Sequence, residues 1–180
     1  GLGAQMLFWP DFFCKSLIDQ GFRVIRFDNR DIGLSSKVRH QGKRLNTMKL
    51  MGRFALGLRN QGAPYTLYDM ADDVSMLLDR LGVSKAHVIG ASMGGMIAQI
   101  LAAKYPEKVE KLGLMFTSNN QPFLPPPFPK QLLSLIGKPE SRDEEGIVNH
   151  SLKLFQLIGS PGYINHIEAV QTARKLYQRS

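Results

Sequence analysis

Ser92 stands in the pentapeptide Gly90-Ala91-Ser92-Met93-Gly94, between a short apolar run and an apolar, helix-forming run. Glycine two residues before and two residues after a serine is the spacing of a nucleophile elbow. In that turn a sharp step from strand to helix lifts a hydroxyl clear of the backbone, as acyl transfer requires. The turn drives the serine toward positive φ, at a cost of about 1–3 kcal/mol for a residue that carries a Cβ. Small neighbours relieve the crowding. Gly90 and Gly94 are spaced to do so, and Gly95 adds room. A helix beginning at Met93 sets free amides and a positive dipole end beside the hydroxyl, which makes the Met93 N–H an expected oxyanion donor. The bland alternative is a glycine-rich turn with a surface serine, and the flanking elements decide between the two.

Those elements have the required types. Ala86-His87-Val88-Ile89-Gly90 is short and β-branched and reads as a buried strand. Met93 to Lys104 reads as a helix stopped by Tyr105-Pro106. Upstream, Thr66 to Leu81 is the clearest helix. Thr66 and Asp69 have capping-box spacing, Leu67, Met70, Val74, Leu77, Leu78 and Leu81 line one face, and Gly82 ends it. Ala4 to Gln20 predicts a helix with Gly21 at its stop, interrupted or truly begun at Trp9-Pro10. Phe22 to Phe27 alternates and predicts a strand, as does Leu112 to Thr117. Residues 37–64 form a long connection with a short helix expected over 47–58. After residue 118 the character changes. Asn119 to Pro129 is Pro-rich and cannot continue a sheet. Helical patterns follow at 130–136, 144–158 and 163–177, with Ser160-Pro161-Gly162 as a break.

Three further stretches resemble the α/β-hydrolase fold family. Gly1-Leu2-Gly3-Ala4-Gln5 is similar to the family's oxyanion loop, and by that match the Leu2 N–H is the second oxyanion donor. Asp28-Asn29-Arg30-Asp31-Ile32-Gly33-Leu34-Ser35 resembles the D-x-R-G-x-G-x-S turn, with Asp31 in place of the usual glycine. Tyr105 to Val109, running into Leu112 to Phe116, resembles the step into the sixth strand. The turn also has a reading of its own. Gly33 permits a backbone conformation that other residues resist, Asp28 and Arg30 can satisfy loop groups, and Ser35 and Ser36 are turn residues rather than rival nucleophiles.

The resemblance is strongest to small-molecule ester hydrolases, including polyketide methylesterases and proline iminopeptidase-like or haloperoxidase-like relatives. It implies a partial α/β-hydrolase fold: a parallel-sheet core over residues 1–118 and a helical cap or lid over 119–180, both incomplete. It implies a serine hydrolase acting on carboxylic esters of small molecules through an acyl-enzyme, with Ser92 as nucleophile. The family's triad acid and histidine follow the seventh and eighth strands, so the chain reads as an internal piece of a larger hydrolase with little or no esterase activity by itself. His40 falls in the connection, His87 in the strand before the elbow as a structural residue, and His150 and His166 in the cap. A prolyl-type aminopeptidase or a perhydrolase would use the same serine, and a non-catalytic small-molecule-binding scaffold is the reading from another class.

The 180 residues are one domain's worth of chain. The net charge of +8 is concentrated between Arg23 and Arg59, where Arg23, Arg26, Arg30, Lys37, Arg39, Lys43, Arg44, Lys49, Arg53 and Arg59 face only Asp28 and Asp31. Without a nucleic-acid motif or interleaved aromatics this reads as a solvated segment, not a nucleic-acid surface. Cys14 alone excludes an internal disulfide, is expected to be buried, and fits a reducing, cytoplasmic setting. No run is long and apolar enough to span a bilayer. No metal-ligand spacing or dinucleotide fingerprint occurs, so no metal or other cofactor is implied. The only partner implied is a small-molecule ester, and the oligomeric state is not written in the sequence.

Overall fold

The computed structural model describes residues 2–38, 63–119, 121, 124, 137–160, 162 and 165–179. The helices expected over 47–58 and 130–136 lie outside them, as does His40. The chain divides into two compact units, one of residues 1–3 and 37–124, the other of residues 4–36 and 125–180.

The first unit contains α2 (Leu67–Arg80), β1 (Ala86–Ala91), α3 (Met93–Lys104) and β2 (Val109–Met115); α1 belongs to the second unit and is given below. Helix α2 begins as its sequence dictates. Thr66 N–H donates to Asp69 Oδ2 at 2.7 Å and Asp69 N–H donates to Thr66 Oγ1 at 3.4 Å, closing the capping box. It ends in a Schellman turn: Gly82, at φ +65°, donates to Asp79 O and Val83 donates to Leu78 O. Strands β1 and β2 pair in parallel from Ala86↔Val109 to Ala91↔Met115, with one irregularity between Ala86 and His87. The connection between them is α3, so β1, α3 and β2 form one βαβ unit.

Met70 and Ala71 of α2 and Ile97 and Leu101 of α3 make the buried core, flanked by Leu67, Val74, Val88, Met93, Ile100 and Val109. Of the expected α2 stripe, Leu78 is also buried while Leu81 is exposed. Polar ties hold α2 beside α3. Lys104 Nζ donates to Asp72 at 2.6 Å, the Tyr105 hydroxyl donates to the same carboxylate at 2.8 Å, and Lys108 Nζ reaches Ser75 Oγ at 2.8 Å. Parallel sheets are normally covered on both faces. Here Ile89 on one face and Leu112 and Leu114 on the other are 39%, 37% and 44% exposed, so neither face of the strand pair is fully covered among the described residues.

The second unit holds a 3-10 turn at Met6–Phe8, α1 (Asp11–Asp19), α4 (Glu144–Ile158) and α5 (His166–Gln178). Pro10 is the N-cap of α1, so Trp9-Pro10 is the true helix start. Trp9 stacks on Phe13 with centroids 5.5 Å apart, and Phe8 meets Phe155 edge-on at 5.6 Å. Asp143 caps α4 by accepting from Gly146 N–H, and Asn165 caps α5 by accepting from Ile167 and Glu168 N–H. Two expectations fail in this unit. Residues 22–27 are not a strand, because alternation chooses a face but a ladder needs a neighbour, and no described strand pairs with them. Arg26 instead donates to Trp9 O at 2.9 Å and pairs with Asp11. Cys14 is half-buried rather than buried, since α1 contributes no buried residue.

The aspartate-arginine turn is organised around Asp28, whose side chain is 2% exposed. Its Oδ1 accepts from Met6 N–H at 2.7 Å, and its Oδ2 accepts from Leu34 N–H at 3.2 Å and from Arg179 Nη1 at 2.5 Å. Ser35 Oγ donates to Asp28 O at 2.6 Å, and Arg179 also donates to Gln5 Oε1. A Cβ at Gly33 would overlap the Asp28 carboxylate, and its φ of +49° favours glycine. Asp31, at φ +67°, takes the left-handed conformation that a glycine at that place would adopt freely. Arg30 is half-buried in the same turn. Burial alone would push the Asp28 carboxyl up, but the Met6 amide, then Arg179 and the Leu34 amide, outweigh it and hold it below the ordinary 3.8. A depressed folded-state pKa gives stability that is complete above the unfolded value and is lost as pH falls through the folded one. Asp28→Asn, which takes the carboxylate partner from Arg179, is expected to cost about 3 kcal/mol near neutral pH. Urea denaturation at neutral pH and at pH values below 3.8 checks this, the difference from wild type shrinking in acid.

Candidate active site

Ser92 has φ 54° and ψ −127°, outside the helical region, and is the N-cap of α3. It is one of three non-glycine residues with positive φ among those described, with Asp31 and Phe116. The backbone on both sides of Ser92 is tied down. Its N–H donates to Met115 O at 3.0 Å, at the end of β2. Its carbonyl accepts from Gly95 N–H at 2.9 Å, from Met96 N–H at 3.3 Å and from Thr117 Oγ1 at 2.7 Å. The side chain makes no capping bond to the helix, so its hydroxyl is not consumed by the structure that holds it. The residue is half-buried.

Met93 is the first residue of α3. Helix geometry gives its N–H no acceptor four residues back, and none is present among the described residues. No acidic side chain sits in the first turn to occupy that end. An anion or a developing oxyanion is what such a terminus accepts. Leu2 lies in a turn ahead of Gly3 (φ +67°) and is 66% exposed, and no hydrogen bond ties it to the elbow.

The three elbow glycines are not equivalent. A Cβ at Gly90 would overlap Gly94 O and lie 2.7 Å from Gly94 C and Gly95 Cα, all backbone. A Cβ at Gly95 would lie 2.6–2.7 Å from the Thr117 side chain. At Gly94 it would meet nothing within 4 Å among the described residues. The need for space is therefore at Gly90 and Gly95. The reason is direction: side chains at those two positions point into the strand–helix contact and toward the end of β2, and one at Gly94 points away.

Asp28, Arg30, Gly33 and Ser35 lie in the other unit and form the turn described above. His87 is exposed on β1 opposite Lys111, His150 lies in α4, and His166 is the first residue of α5. None of these three donates to or accepts from Ser92. Sequence reasoning missed Thr117 and Gln99. Gln99 Nε2 donates to Ser118 O at 2.8 Å and to Gly95 O at 3.1 Å. The available signal was a polar Thr-Ser pair just past a strand whose parallel neighbour ends at the serine. Among the described residues no group of three or more His, Cys, Asp or Glu could hold a metal ion, and no helix is long and apolar enough to cross a membrane.

A family model described as alpha/beta hydrolase fold matches residues 1–153. A rhodomycin D methylesterase of Streptomyces peucetius is 36% identical over 107 residues, which is 59% of this chain and 29% of that protein. A homoserine O-acetyltransferase of Thermus thermophilus is 55% identical over 49 residues, 27% of this chain and 13% of that enzyme. The chain thus spans less than a third of the length of these curated relatives. Among solved structures, a meta-cleavage product hydrolase (CumD) superposes with a TM-score of 0.60 at 20% identity, covering 99% of this chain and 52% of that one. That likeness speaks for the fold.

Proposed function

Since the chain belongs to the α/β-hydrolase fold family, we propose that it carries the nucleophile and oxyanion site of a serine hydrolase acting on carboxylic esters of small molecules. The carrying observation is Ser92 itself: a non-glycine residue at φ 54°, at a strand-to-helix step, with its hydroxyl uncapped beside the N-terminus of α3. In this reading Ser92 Oγ attacks the ester carbonyl carbon. The carbonyl oxygen takes the negative charge and is met by the Met93 N–H and, by the family resemblance of the Gly1–Gln5 loop, the Leu2 N–H. Collapse expels the alcohol, leaving an acyl-serine that water cleaves by the same route. In this fold the general base that accepts the serine proton is a histidine and the group that orients it an aspartate or glutamate, both after the cap in chain order. The names of the relatives, a methylesterase and an O-acetyltransferase, support ester and acyl chemistry.

The test is a fluorophosphonate probe followed by a substrate panel, on the full-length protein that carries this sequence. The expected result is a label on the Ser92 peptide, with turnover of methyl and aryl esters above that of prolyl amides. Labelling with turnover of prolyl amides alone would move the assignment to an aminopeptidase. Absence of any label on Ser92 in folded protein would overturn it in favour of a binding scaffold.

A further inference from the structure

Resting on the reading of Ser92 as nucleophile, we propose that Thr117 is a positioning residue that aims the Met93 N–H at the oxyanion, with Gln99 holding Thr117 in place. A trans peptide is planar, and its C=O and N–H point in opposite directions. The Ser92 carbonyl and the Met93 N–H belong to one such plane. Whatever fixes the direction of the carbonyl therefore fixes the direction of the amide on its other side. Thr117 Oγ1 donates to that carbonyl at 2.7 Å, the shortest of its three hydrogen bonds; the hydroxyl has only a weaker contact to Ser118 O, at 3.4 Å. A hydrogen bond to the carbonyl also polarises the amide and strengthens its N–H as a donor.

Three other features converge on the same contact. Phe116 has φ 36°, a strained turn that carries the chain off the end of β2 immediately before Thr117. Gly95 leaves the space that the Thr117 side chain fills, since a Cβ there would lie 2.6 Å from Thr117 Cγ2. Gln99, two helical turns past Ser92, clamps Ser118 O and Gly95 O with one amide. A threonine that only filled space would not need its hydroxyl directed at the carbonyl next to the oxyanion donor.

The test uses Thr117→Val, Thr117→Ser and Ser92→Ala in the full-length protein, with kcat and KM for an aryl ester and thermal melting of each. Expected for Thr117→Val is a fall in kcat of about tenfold or more with KM within about twofold, the pattern of a contact that matters in the transition state. Thr117→Ser, which restores the donor, recovers most of that loss. Should Thr117→Val fail to fold, Gln99→Met replaces it, with the same split in kcat expected at an unchanged melting temperature. Unchanged kcat in the valine variant, or equal losses in the valine and serine variants accompanied by lowered melting, would overturn the proposal. Ser92→Ala separates the two readings. If it retains turnover, the nucleophile assignment itself is wrong; if it is inactive while Thr117→Val matches wild type, only the positioning role falls.

Discussion

On the proposed mechanism, Ser92→Ala in the full-length protein is expected to lower kcat on aryl and methyl esters by about 10⁴-fold or more, because no acyl-enzyme could form and only binding and oxyanion stabilisation would remain. The same substitution leaves stability nearly unchanged. The serine side chain makes no capping bond that its removal would break, and alanine has the same Cβ and the same difficulty at φ 54°. Ser92→Gly is equally inactive but more stable, by about 1 kcal/mol, since glycine adopts positive φ without the Cβ clash and gives back only part of that gain in unfolded-chain entropy. Steady-state kinetics with urea denaturation of the three proteins checks both halves. Activity retained in the alanine variant would end the hydrolase assignment, and a glycine variant less stable than wild type would mean that the turn is not strained.

Gly90→Ala and Gly94→Ala have opposite signs, though the two residues bracket the serine symmetrically in sequence. At Gly90 the new methyl runs into the backbone of Gly94 and Gly95, which cannot rotate away as a side chain tip could. Strand β1 and the first turn of α3 must separate, and the elbow lies between them. The expected loss is about 3 kcal/mol of stability, at the upper end for overpacking, with activity lost beyond what unfolding explains. At Gly94 the methyl meets open space among the described residues and replaces a glycine inside a helix, so stability stays level or rises by about 0.5–1 kcal/mol. Denaturant midpoints and kcat of the two variants, measured side by side, decide it. Equal damage at both positions would show that the approach of β1 to α3 is looser than its geometry.

The contrast marks what a sequence can and cannot reveal here. The strand before Ser92 and the helix after it were legible because each carries its own local signal, β-branched residues in one and a continuous apolar run stopped by Tyr105-Pro106 in the other. The capping box at Thr66 was legible for the same reason, since both partners lie within one turn. Which glycines matter was not legible, because Gly95 answers to Thr117 in another element and no local pattern announces that. The Phe22–Phe27 expectation failed on the same ground: alternation is local, whereas a ladder is not. In the Asp28 turn, Gly33 has φ +49°. The partner that makes the turn rigid, Arg179, comes from 151 positions away and carried no hint in the turn itself.

Trp9 is the only tryptophan, and its indole stacks on Phe13 at the start of α1, in the unit that does not contain Ser92. Within these residues, indole emission therefore reports on the packing of α1. A fluorescence melt would follow one half while activity follows the other, and whether the two curves coincide is a direct measure of how cooperatively the halves unfold.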